Sequence, residues 1–161
     1  MLWFKQTIGH ACGSIGLLHC AINGSAKEYL EPNSTFAKLR DGAIGLDIEE
    51  RAQFLYDNQA FEDAHQSVAE MGDTVPPSAE DGDRLGQHFV AFVVQDGKLW
   101  ELEGGREGPI CRGVVGEGED VLSERAVGMG IGRVIEMEKE SGGGDLRFSC
   151  IALAGPAGGA E

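Results

Sequence analysis

From Cys12 to Asn23 the apolar residues Ile15, Leu18 and Ile22 recur at helical spacing, and Leu17 and Ala21 widen the stripe. The period predicts a helix, with Gly24 as its C-terminal stop. Glu31-Pro32-Asn33-Ser34-Thr35 reads as a loop, after which Ser34 or Thr35 caps a short helix. Asp47 and Glu50 have the spacing of a capping box, so a helix should run from there to about Tyr56, and another from about Ala60 to Glu70. Further on the period changes. His88 to Val94, HFVAFVV, is apolar throughout and predicts a buried strand. Asp96-Gly97 is a hairpin signal, which pairs Lys98 to Leu102 back on that strand. Glu103 to Pro109 is a loop and Ile110 to Arg112 a short strand. Val121 to Lys139 has Val127, Ile131, Val134 and Ile135 at helical spacing, although Gly128, Gly130 and Gly132 each cost about 1 kcal/mol there relative to Ala. After a break at Gly142 to Gly144, Asp145 to Leu153, DLRFSCIAL, predicts a last strand.

One stretch has no apolar period. Met71 to Gln87, MGDTVPPSAEDGDRLGQ, is rich in Gly, Pro and acid. So long a loop inside a domain reads either as a lid over a binding site or as a disordered insertion. Nothing else looks like a linker or a repeat, so residues 1–161 are expected to form a single domain. No run reaches the roughly 18 apolar residues of a membrane span. The opening MLWFKQT turns polar too early for a secretory signal, and the expected compartment is cytoplasmic, with the nucleus also open. With 27 acidic and 13 basic residues the net charge is −14, a field that repels nucleic acid and anionic membrane. The four cysteines, Cys12, Cys20, Cys111 and Cys150, form no CxxC pair and no zinc-finger spacing with histidine. GMGIGR, at 128–133, follows no strand and lacks the dinucleotide register. No metal or cofactor is expected.

The candidate chemistry begins at Cys12. A thiol at a helix start lies where backbone N–H groups and the helix dipole favour the thiolate. Gln6, just upstream, can offer its amide to an oxyanion. His88 opens a strand and can point from a sheet edge into a cleft. The hairpin folds Glu103 back towards His88, where a carboxylate can orient the imidazole. Each residue also has a plain reading: a small buried thiol, a satisfied core histidine and an exposed loop acid.

Four stretches in order resemble the ubiquitin C-terminal hydrolase family of cysteine peptidases, over nearly the whole chain from Lys5 to Leu153. KQTIGHACGSIGLLH is similar to the family's active-cysteine motif, including the glutamine-to-cysteine spacing. ERAQFL and AHQSVAEMG resemble its helical middle. QHFVAFVVQDGKLWELEGGREGPI resembles its histidine strand, hairpin and acid loop, and DLRFSCIAL its final strand. The resemblance implies an α+β, papain-like fold, with an antiparallel sheet flanked by helices. It implies Gln6 as oxyanion donor, Cys12 as nucleophile, His88 as general base and acid, and Glu103 at the third catalytic position. The implied partner is ubiquitin with small or flexible adducts on its C-terminal glycine, and residues 71–87 match the family's crossover loop. Three departures accompany it. Glu103 stands where the family has Asp, and His10 where it usually has Asn. The family also has a sizeable segment before the cysteine motif, with helices and a central strand, so the domain is expected to be incomplete at its N-terminus. An inactive, truncated ubiquitin-interaction protein is the alternative function.

Overall fold

The computed structural model describes residues 1–72, 88–142 and 148–155. The crossover stretch predicted over 71–87 therefore lies almost wholly outside the described residues.

The first half is helical. α1 (Cys12–Ile22) is followed by a short 3₁₀ turn (Ala26–Tyr29), α2 (Thr35–Ala43), α3 (Ile48–Tyr56) and α4 (Gln59–Ala69). Their starts follow from local chemistry. Ser34 accepts from the Ala37 N–H and Asn58 from the Phe61 N–H, while Asp47 and Glu50 form the reciprocal capping box that their spacing predicts. Ile15, Leu18 and Ile22 of α1 meet Leu39, Ala43, Leu55 and Phe61 in one core, closed by Phe4 from the N-terminal segment. Burying each of the larger of these side chains is worth about 1.5–3 kcal/mol. Ser14 Oγ lies 2.8 Å from His65 Nδ1 and joins α1 to α4.

The second half carries an antiparallel sheet in the order β1-β2-β3, from β1 (Ala91–Gln95), β2 (Lys98–Leu102) and β3 (Ile110–Val114). Asp96 (φ 54°) and Gly97 (φ 67°) are both left-handed, the geometry that lets a two-residue turn follow the strand twist. Alternation sends Ala91, Val93 and Leu102 to one face, where Trp3 and the half-buried Cys20 and Trp100 cover them. Phe92, Val94 and Leu99 go to the other, against Val115, Ala126 and Met129. The sheet is thus sandwiched between α1 and the C-terminal helices, an α+β arrangement.

Three expectations change in detail. The strand expected over His88–Val94 starts only at Ala91. Its last ladder partner is Leu102, after which β2 turns away, so His88, Phe89 and Val90 stay exposed. The helix expected over Val121–Lys139 divides into α5 (Glu124–Val127), a wide turn over Gly128–Gly132 and α6 (Arg133–Glu140). The break is at Gly130 (φ −92°, ψ −108°), where a side chain would press on Phe92 at 3.3 Å. Glycine there lets the helix backbone lie on the sheet. The last strand expected over Asp145–Leu153 is absent among its described residues. Residues 148–155 pair with no strand, and Ile151 is 91% exposed. Its apolar pattern is strand-like, but among the described residues no neighbour supplies a ladder for it.

Candidate active site

The N-terminal segment runs alongside α1, and side chains bind its backbone. Asn23 bonds both the N–H and the carbonyl of Leu2, at 2.7 and 2.8 Å. The Phe4 N–H donates to His19 Nε2 at 2.9 Å, and Arg51 donates to the Trp3 carbonyl at 3.0 Å. Burial pushes His19 down to about 4. Desolvation outweighs the backbone groups of Leu102 and Phe4, which act to raise it, and the neutral ring is the form whose Nε2 can accept the Phe4 N–H. This clamp sets the path of the chain into Gln6 and Cys12.

Gln6 is fixed at the end of the clamp. Its N–H donates to the Gly104 carbonyl at 2.8 Å, and its side-chain amide donates to the Ile8 carbonyl at 3.3 Å. The chain then turns through His10, whose backbone is left-handed (φ 59°) and whose side chain is exposed. That conformation suits Asn, Asp or His better than most residues. Ala11 is the N-cap of α1 and no side chain caps this end, so the first-turn N–H groups are open to an anion. Cys12 is the first helical residue and is half-buried.

His88 reaches this place because Phe89 packs on α1. A Cβ at Gly13 would lie 3.4 Å from the Phe89 ring, and one at Gly16 would lie 3.9 Å from Phe89 Cβ. Two α1 glycines thus admit the residue next to His88. His88 Nε2 is 3.0 Å from Glu103 Oε1, with the imidazole 45% exposed and the carboxylate 13%. Glu103 Oε1 also accepts the Gly105 N–H at 2.9 Å, and Oε2 pairs with Arg106 Nε at 2.9 Å. Trp3 Nε1 donates to the Glu103 carbonyl at 3.3 Å. Glu101, two residues away, is buried and paired with Arg112 and Arg106.

The four sequence-predicted residues therefore lie on two connected pieces. Glu103 is bonded to His88. Gln6 is bonded to Gly104, next to Glu103. Cys12 is reached through Phe89, and no hydrogen bond joins it to His88 in this structure. The sequence reading overlooked the clamp from Asn23, His19 and Arg51, as well as Arg106. The alternation of Glu101, Glu103, Arg106 and Arg112 about a glycine loop was the available signal for Arg106. No group of three or more His, Cys, Asp or Glu among the described residues is disposed to hold a metal ion.

Comparison with known proteins supplies the lineage. The sequence model of "Ubiquitin carboxyl-terminal hydrolase, family 1" matches residues 1–136. The chain is 34% identical over 152 residues to ubiquitin carboxyl-terminal hydrolase 3 of Arabidopsis thaliana, covering 94% of this chain and 60% of that protein. It is 34% identical over 151 residues to ubiquitin carboxyl-terminal hydrolase isozyme L1 of Rattus norvegicus, covering 94% and 62%. It thus spans a little under two thirds of the length of these relatives. The fold is similar to that of the Trichinella spiralis UCH37 catalytic domain, solved bound to ubiquitin vinyl methyl ester, with a TM-score of 0.66, 22% identity, and coverage of 91% of this chain and 60% of that one. The chain belongs to ubiquitin carboxyl-terminal hydrolase family 1.

Proposed function

We propose that this chain is a thiol hydrolase that releases small or flexible adducts from the C-terminal glycine of ubiquitin. The observation that carries this reading is the His88–Glu103 pair at 3.0 Å, on the segment whose Phe89 packs against the first turn of the Cys12 helix. Family membership supports the reaction class, and a structural neighbour bound to ubiquitin vinyl methyl ester supports the substrate.

In this reading Glu103 occupies Nε2 of His88, so Nδ1 is the ring nitrogen that exchanges a proton with Cys12. The thiolate attacks the carbonyl of the last glycine of ubiquitin. The Cys12 N–H and the Gln6 amide hold the oxyanion. His88 protonates the leaving amine, and the tetrahedral intermediate collapses to a thioester. Water, deprotonated by His88, then releases the ubiquitin carboxylate and restores the thiol. No step calls on a metal or a cofactor. In this reading thiol and imidazole meet transiently in the free enzyme, enough to activate Cys12, and their alignment tightens when substrate binds. Residues 1–161 belong to one catalytic domain, and a net charge of −14 suits the basic tail of a ubiquitin-like substrate. Four free cysteines suit the cytoplasm or nucleus as the place of work.

The test is hydrolysis of a ubiquitin–fluorophore amide. Turnover that disappears in Cys12→Ser and His88→Ala supports the reading. Binding of ubiquitin without turnover, unaffected by Cys12→Ser, would favour the alternative of a non-catalytic ubiquitin-binding protein.

A further inference from the structure

We propose that Gly105 and Arg106 are positioning residues that let a glutamate, longer than aspartate by one methylene, serve His88. The inference rests on the catalytic reading of His88 and Glu103 given above.

Glutamate places its carboxylate one C–C bond, about 1.5 Å, further from the backbone than aspartate does. It also has one more rotatable bond to immobilise. The structure answers both problems within two residues. The carboxylate curls back over the loop, so that Oε1 takes the Gly105 N–H at 2.9 Å while still reaching His88 Nε2 at 3.0 Å. A Cβ at residue 105 would stand 2.7 Å from that same oxygen. Gly105 is not in the left-handed region, so what it contributes is space and a donor. The second oxygen is held separately, by Arg106 Nε at 2.9 Å.

Arg106 is half-exposed, and an isolated surface pair of this kind would be weak. It is not isolated. Arg106 Nε also lies 3.5 Å from Oε1 of Glu101, which is only 3% exposed. Arg112 holds the other oxygen of Glu101, with its Nε at 2.6 Å. The charges alternate from half-buried Arg112 through buried Glu101, then Arg106 and Glu103, out to His88. Each link is anchored on its inner side by the one before it.

The position of the predicted collision makes the proposal testable. A methyl group at 105 would meet the free end of a flexible side chain, not backbone. The fold absorbs it by swinging Glu103 aside, and His88 loses its partner. Gly105→Ala should therefore melt like the parent. It should lower kcat for a ubiquitin–fluorophore amide, and the rate of Cys12 alkylation by iodoacetamide, by at least about tenfold, with KM little changed. Adding Glu103→Asp removes the collision and should recover most of the loss. Arg106→Gln should lower the same two rates, and Arg106→Lys should recover part of them. An equal loss from Gly105→Ala whether or not Glu103→Asp is also present would overturn the proposal, since independent effects add. So would fast Cys12 alkylation that Glu103→Gln slows but Gly105→Ala does not, and in that case the catalytic reading would survive. Cys12 alkylation no faster than that of Cys111 in the unaltered chain removes the catalytic reading, and this proposal with it.

Discussion

Asn23 treats Leu2 as a neighbouring strand would: its side-chain oxygen accepts the Leu2 N–H at 2.7 Å and its side-chain nitrogen donates to the Leu2 carbonyl at 2.8 Å. One amide at the end of α1 thus satisfies both backbone groups of a residue on the segment that leads to the site. Asn23→Ala removes both bonds and strands part-buried partners, which should cost about 1–3 kcal/mol. Asn23→Asp keeps the acceptor and loses the donor, so it should fall between. Urea denaturation with both variants tests the order, and a fully stable Asn23→Ala would show that the clamp contributes nothing.

His19, one turn earlier, gives the fold a dependence on acid. Its ordinary value is 6.5 and burial lowers it to about 4 in the fold. Above pH 6.5 the residue is neutral in both states and has no effect. As the pH falls from 6.5 towards 4, the unfolded chain takes up a proton that the folded chain refuses, so stability decreases. Between pH 7 and pH 5 the loss should be on the order of 2 kcal/mol from this residue. His19→Gln, which can still accept the Phe4 N–H, should show a flatter dependence of stability on pH. An unchanged slope would exclude His19 as the source.

Cys12 should be alkylated first by limiting iodoacetamide at neutral pH. Cys111 and Cys150 are exposed but do not sit at a helix start. Burial pushes the Cys20 thiol up, away from thiolate. Peptide mapping after partial labelling decides the matter, and preferential modification of any other cysteine contradicts the assignment.

Glu103→Gln keeps the shape of the side chain and removes its charge. It should lower turnover of a ubiquitin–fluorophore amide by at least about tenfold, with a much smaller effect on KM, because orientation of the imidazole matters chiefly in the transition state. Glu103→Asp should be tolerated. If Glu103→Gln turns over normally, His88 works without an acid partner.

Gly104 has a different task from Gly105. A Cβ there would come within 2.8 Å of Gln6 Cβ and 3.1 Å of the Gln6 backbone nitrogen, so the strain falls on backbone. Gly104→Ala should destabilise the fold by about 1–3 kcal/mol as well as lowering turnover, whereas Gly105→Ala should touch turnover alone. Melting curves of the two variants separate these outcomes.

Which features were legible in the sequence follows from the range of the forces involved. The capping box at Asp47 and Glu50, the helix from Cys12 and the Asp96-Gly97 hairpin are set by residues a few positions apart, and the structure has all three. Features that depend on distant partners were not legible. The apolar run from Phe148 to Leu153 reads as a strand, yet needs a neighbour to become one. His88 to Val90 reads as the start of β1, but its register runs out at Ala91. Even the use of the Gly104-Gly105 pair was invisible. Two glycines in a loop suggest torsional freedom, whereas here both have ordinary backbone and differ only in which neighbour occupies the missing side chain's place.

The bond from Trp3 to the Glu103 carbonyl spans 100 positions of sequence, while that between His88 and Glu103 spans 15. These two lengths imply an order of assembly. The hairpin can bring histidine and acid together early, as a local event. The segment that leads into the Cys12 helix must find them by closing one of the longest loops in the chain, which is entropically slow. Assembly of the proposed site is then expected among the last acts of folding. A nascent or partly unfolded chain carries its thiol without the imidazole, and so remains chemically quiet until the whole domain is in place.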